Sequence, residues 1–129
     1  MRKIDTVIIH CADTPPEMDI GAKEIRHWHV DERGWDDIGY HYVIRRNGEI
    51  EMGRQESVQG AHCSGHNATS LGICMVGDSA FTGAQFHSLR KLVEELQRRY
   101  DLSAVAGHYE YSSKTCPNFD VQEWSKCLA

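Results

Sequence analysis

The sequence predicts an α/β fold: a mixed central β-sheet flanked by helices, in one layered domain over residues 1–129. Three observations point there. "TVIIH" (6–10) and "LGICMVG" (71–77) are continuous apolar runs of the length expected of strands buried on both faces. A long stretch of helical period follows Thr82 and precedes a third short apolar run, "AVAG" (104–107), so strands and helices alternate. Between the first two runs, "GYHYVIRRNGEIEM" (39–52) carries Asn47-Gly48, the strongest short-range hairpin signal, which adds an antiparallel pair and makes the sheet mixed.

The first strand ends on His10, and the turn-rich "CADTPPEMD" leads out of it. Residues 20–33 place Ile25, Trp28 and His29 at i, i+3, i+4, with Gly34 where a helix C′ residue belongs, so one helix is expected there. In the hairpin, Tyr40, Tyr42 and Ile44 alternate against His41, Val43 and Arg45. Residues 53–70 have no usable period and contain "GAHCSGHNATS", a polar loop of a length more often functional than idle. Thr82 and Gln85 then form a capping-box pair, with Phe81 and Phe86 at the staple positions. Leu89, Leu92, Val93, Leu96 and Tyr100 continue the apolar stripe of a second helix. The run 104–107 delivers His108, and "FDVQEWSKCLA" (119–129) is expected to make a brief last helix.

With 129 residues, 40% hydrophobic and 26% charged, the chain can bury one core without staples, and no repeat or linker divides it. A formal charge of -5, with its basic pairs answered by nearby acids, argues against nucleic acid as the main ligand. No apolar run reaches the ~20 residues a membrane span needs, and the first apolar stretch is too short for a signal peptide, so a cytoplasmic place of synthesis without membrane insertion is expected. Five cysteines without a secretory signal argue against a full disulfide framework and leave a thiol or a ligand among them.

The chemistry concentrates at strand ends. His10 and His108 both follow apolar runs, and in open α/β sheets ligands bind outside the carboxyl ends of the strands, so both imidazoles are candidates for one site. Cys116 lies eight residues past His108 on a loop able to turn back. Two imidazoles and a thiolate suit Zn²⁺, and three protein ligands leave a fourth position open, the catalytic pattern. The spacing H-x₇-C is not specific by itself, and any one of eight histidines is as readily a hydrogen-bonded core or surface residue. Cys11, next to His10 on a strand, is expected to face the other way and to pack, and Cys74 to lie in the core.

Six stretches carry a resemblance: "VIIHCADT" (7–14), "EIRHWH" (24–29), "GWDDIGYHYVIRRNGEIEMGR" (34–54), "GAHCSGHNATSLGICMVG" (60–77), "SLRKL" (88–92) and "KTCPNFD" (114–120). In this order the chain resembles the zinc-dependent N-acetylmuramoyl-L-alanine amidases of the type-2 amidase family, nearest to the amidase-type lysozymes, or endolysins, of T-odd coliphages. The resemblance implies that His10, His108 and Cys116 hold one Zn²⁺, and that Tyr40 and Lys114 are the catalytic side chains beside it. It implies cleavage of the amide between N-acetylmuramic acid and L-alanine, with the zinc activating water and polarising the carbonyl. Tyr40 and Lys114 would stabilise the charge that develops on that carbonyl.

Two relatives of the fold define alternatives. Animal peptidoglycan-recognition proteins share it but are usually secreted and disulfide-bonded. Intracellular cell-wall-recycling amidases have an aspartate as third ligand where this chain has Cys116. A non-catalytic recognition module, a recycling amidase, and a thiol hydrolase with Cys116 activated by His108 are therefore the rival readings. The segment between Gly77 and Thr82 is shorter than in the phage lysozymes, which puts any partner contact made there in doubt. For substrate binding the loop nominates His62 and Asn67, and Trp28 and Trp35 are candidates to pack on sugar faces, with core packing the stronger expectation for Trp28. The expected partner is peptidoglycan, glycan strand and peptide stem, met in the periplasm after release by a membrane-permeabilising partner. A monomer is the default, and a regulatory protein partner is left open.

Overall fold

The computed structural model describes residues 1–129. Five strands, β1 (Thr6–Cys11), β2 (Tyr42–Ile44), β3 (Ile50–Met52), β4 (Ser70–Met75) and β5 (Ala104–Gly107), form one sheet in the order β3-β2-β4-β1-β5. β1 runs parallel to β4 and β5, β2 runs parallel to β4, and β3 closes one edge antiparallel to β2. The expected mixed sheet is present, and the two continuous apolar runs occupy its centre.

Strand alternation divides the core between the two faces. Val7, Ile9, Leu71, Ile73 and Met75 point to one face, where Leu89, Leu92, Val93 and Leu96 of helix α2 (Gly83–Arg99) cover them. Val43, Cys74 and Val76 point to the other, against Ala22 and Ile25 of helix α1 (Ala22–His27). Each fully buried aliphatic side chain here contributes roughly 1.5–3 kcal/mol. α1 is short, so it covers only part of its face, and the cleft left open lies at the carboxyl ends of β1 and β5.

α2 starts as its sequence requires. Thr82 Oγ1 accepts from the Gln85 N–H at 3.0 Å, and Gln85 Oε1 accepts from the Thr82 N–H at 3.0 Å. Phe81 and Phe86 meet edge to face at 6.2 Å, and Phe119 joins both. Gln85 is fully buried and also donates from Nε2 to the carbonyls of Ile44 and Val76, so the cap pins the helix to the ends of β2 and β4.

Three elements depart from their sequence reading. The helix expected over 20–33 is α-helical only over Ala22–His27, and Trp28–Glu32 continue it as one wider π-turn. The hairpin strands are only three residues each, and the turn places Gly48 at φ +90° with its N–H donating to the Arg45 carbonyl at 2.8 Å. The alternation does not reach back to Tyr40: Tyr42 and Ile44 pack under α2, whereas Tyr40 packs against the cluster on the α1 face. The last helix is α3 (Val121–Trp124), followed by a separate 3₁₀ turn at Ser125–Cys127.

Candidate metal centre and its cleft

Because β1 and β5 are parallel with Ile9 opposite Gly107, the residues that leave the ladder next, His10 and His108, come out side by side. Their ring centroids are 4.4 Å apart. Cys116 is brought back to them by a backbone bond from the Tyr109 N–H to the Cys116 carbonyl at 2.8 Å. The far side of that loop is tied down by Asn118 Nδ2 donating to the Asp78 carbonyl at 2.8 Å, and by the Val121 N–H donating to Tyr109 Oη at 3.0 Å. One ligating atom each from His10, His108 and Cys116 all lie within 4.8 Å of one another.

The donors suit a soft divalent cation. His10 is 1% exposed, and burial, then the neighbouring His62, His108 and Lys114, hold its pKa well below the usual imidazole value. Burial and Lys114 lower His108 as well, so both rings keep a lone pair at neutral pH. The Cys116 thiol is pushed up by its contact with Cys11 and by burial, while its Sγ accepts the Cys11 N–H at 3.0 Å. A bound divalent cation reverses that balance by favouring the thiolate, and an amide N–H already aimed at the sulfur supports the same charge. Two imidazoles and a thiolate fit Zn²⁺ in particular.

Cys11 is thus more than packing: it is buried, yet its backbone holds Cys116 and its Sγ accepts from Asn118 Nδ2 at 3.7 Å. Cys74 is fully buried in the core, as its place in β4 predicts.

The three donors lie in a cleft of about 840 Å³ on the α1 face, whose lining includes Trp28, Trp35, Tyr40, Asn67 and Lys114. Rings follow one another along one wall: Tyr40 is 5.1 Å from His10, His29 is 5.7 Å from Tyr40, and Trp35 is 4.5 Å from His29. Arg33 ends the row, its guanidinium 5.3 Å above the Trp35 ring. The wide turn after His27 builds this wall, and His29 is fixed by accepting the Gly39 N–H at Nδ1, 2.9 Å. Burial, Arg33 and Arg54 lower the His29 pKa to about 4. Trp28 both lines the cleft and packs against the small cluster under it.

Tyr40 is held as a neutral phenol, because burial and the surrounding Cys74, Cys116 and Cys11 raise its pKa well above the usual value. Lys114 is exposed at the mouth of the cleft. The two loop residues nominated for substrate both line the cleft but are engaged differently. Asn67 lines the cleft, with Oδ1 accepting the backbone N–H groups of His62 and Cys63 at 2.9 Å each. His62 is 8% exposed, and both its ring nitrogens are engaged inside the protein, Nδ1 with His10 Nε2 at 2.8 Å and Nε2 with Ser70 Oγ at 3.2 Å. Trp35 was nominated from the sequence, but its stacking with His29 and Arg33, and the Cys11 amide, went unread. Both depend on contacts between distant segments, which periodicity does not register.

A profile of the N-acetylmuramoyl-L-alanine amidase family matches residues 1–119. The endolysin of Escherichia phage T7 is 41% identical over 128 residues, covering 93% of this chain and 84% of that one. Among solved structures, the N-acetylmuramoyl-L-alanine amidase LysC from Clostridium intestinale URNW superposes with a TM-score of 0.88 at 29% identity, over 97% of this chain and 85% of that one. A bumblebee PGRP-SA superposes with a TM-score of 0.85 at 29% identity, over 98% and 83%.

Proposed function

Since the chain belongs to the N-acetylmuramoyl-L-alanine amidase family, we propose that it cuts the muramoyl-alanine amide with one Zn²⁺ held by His10, His108 and Cys116, Tyr40 and Lys114 acting on the reacting group. It is an endolysin-type amidase acting on bacterial peptidoglycan. The observation that carries the zinc reading is the approach of three ligating atoms to within 4.8 Å, in a cleft of about 840 Å³.

The metal supplies an acidified water and a polarised carbonyl when bound. The side chains supply the rest. Tyr40, kept protonated by burial, is a hydrogen-bond donor for the amide oxygen as it gains negative charge, and the Lys114 ammonium is a second. Donors of this kind are worth roughly 3–4 kcal/mol each in other hydrolases. Lys114 also carries a proton that the departing alanine amine needs. The ring wall from Tyr40 to Trp35 offers apolar faces, and Arg33 at its end offers a cation to an anionic peptide stem. Asn67 remains the nominated polar contact on the opposite loop.

The likeness to phage endolysins supports synthesis in the cytoplasm of an infected cell and action on the wall after release. No helix is long and apolar enough to cross a membrane. The reading takes a separate agent to open the inner membrane and the amidase to act as a monomer.

The test is to incubate the purified protein with isolated Gram-negative peptidoglycan and count newly freed alanine amino groups. They should appear, vanish after metal stripping, and return on adding Zn²⁺. Zinc-loaded protein that binds the polymer but frees no alanine would convert the reading to a recognition module. Full activity after stripping would overturn the metal assignment and favour Cys116 as a nucleophile.

A further inference from the structure

His62 and Ser70 extend a hydrogen-bond chain that starts at His10 Nε2, and the bonds joining them admit only one direction. The Ser70 hydroxyl stands 2.7 Å from the His66 carbonyl, which can only accept, so the single Ser70 proton is used there. Ser70 Oγ must then accept from His62 Nε2 at 3.2 Å, which puts the His62 proton on Nε2. A neutral imidazole protonated at Nε2 has a bare Nδ1, so His62 Nδ1 accepts from His10 Nε2 at 2.8 Å. The His10 proton is thereby fixed on Nε2, and the His10 lone pair on Nδ1.

The surroundings lock this arrangement. His62 is 8% exposed and Ser70 is fully buried. A Cβ on Gly72 would stand 2.6 Å from the His62 ring, and one on Gly60 would stand 2.8 Å from it, so the two glycines leave the room that the imidazole occupies. Asn67 Oδ1 holds the His62 backbone from the other side.

We propose that His62, anchored through Ser70, is a positioning residue for the metal centre: it sets the tautomer of His10, so that Nδ1 is the atom presented to the cation. This rests on the zinc reading above and reassigns His62 from substrate contact to ligand orientation. It also gives the polar loop 60–69 a function, since its backbone places the acceptor carbonyl of His66 and the buried ring of His62. An outer partner of this kind is typically worth ten- to a hundredfold in metal affinity.

The test measures zinc affinity by competition with a chromogenic chelator at neutral pH. His62→Leu, which fills the site with no polar atom, should bind zinc ten- to a hundredfold more weakly than the native chain. His62→Asn, whose amide oxygen can stand near the Nδ1 position, should recover most of that loss. Ser70→Ala should weaken binding several-fold. In native zinc-loaded protein with ¹⁵N-labelled histidine, NMR should find the protons of His10 and His62 on Nε2, a readout that needs no variant to fold. Native zinc affinity in His62→Leu, equal losses in the Leu and Asn variants, or a proton on His62 Nδ1 would each overturn the proposal. A native chain that takes up no zinc overturns the metal reading and this one with it. A chain that binds zinc through these groups yet frees no alanine leaves the relay standing and sinks only the amidase chemistry.

Discussion

The phenol of Tyr40 is useful only while it keeps its proton, and its burial among three thiols ensures that across the neutral range. Tyr40→Phe removes that donor with little change in volume. The expected result is a 10²–10³-fold fall in kcat on a muramoyl-peptide substrate, with zinc content and KM near native. A large KM effect, or loss of zinc, would instead place Tyr40 in substrate or metal binding. At this scale the histidines at the ends of β1 and β5 were legible as residue types, and the structure brings His10, His108 and Cys116 to within 4.8 Å of one another. Their partners were not legible. The bond from the Cys11 amide to Cys116 spans 105 positions, and that from His10 to His62 spans 52, distances over which a single sequence carries no periodic signal.

Among the elements, α2 shows local chemistry agreeing with tertiary structure. Its capping box and phenylalanine staple were readable from Thr82, Gln85, Phe81 and Phe86 because both are short-range features. Thr82→Ala should lower stability by about 1 kcal/mol, read as a lower thermal midpoint with zinc affinity unchanged. The Thr82 hydroxyl also donates to the Arg46 carbonyl at 2.7 Å, so a loss above 1 kcal/mol would show that the helix cap doubles as a tie to the hairpin. The first helix was less legible. Its apolar spacing gave the buried stripe, but the widening at Trp28–Glu32 follows from seating His29 under Gly39 and Trp35. Nor did alternation anticipate the change of face at Tyr40, because Tyr40 and Tyr42 look alike in a pattern of apolar residues.

Across the whole molecule, Glu56 clamps parts that are far apart in sequence. Its carboxylate takes two bonds from Arg99 at 2.8 Å and the hydroxyls of Tyr42 and Tyr100, while its carbonyl accepts from Arg2 Nε at 3.0 Å. The Arg99 bonds, then the two tyrosines, lower the Glu56 pKa to about 2 from 4.5, against the opposing effect of burial. A depressed carboxylate pKa contributes stability that is complete above the unfolded value and is lost as pH falls through the folded one. The window here runs from about pH 5 down to about 2. Glu56→Gln should cost about 2 kcal/mol at pH 7, less than the full shift implies because the Arg99 side is 43% exposed to solvent. Urea unfolding at a series of pH values should then show a flatter acid limb in the variant; parallel limbs would assign the acid sensitivity to other carboxylates.

The order of strands also has a consequence in time. β1 is made first, yet its ladder partners are residues 70–75 and 104–107, and none of its pairing is local. Chains dominated by such long-range parallel contacts fold slowly, because loop closure must precede any gain from pairing. A nascent chain that has reached residue 100 holds His10 but neither His108 nor Cys116, so on the proposed zinc reading it has one metal donor of three and no lytic capacity. On that reading the enzyme stays inert during synthesis and becomes competent only once the chain through Cys116 has emerged and β4 and β5 have closed on β1.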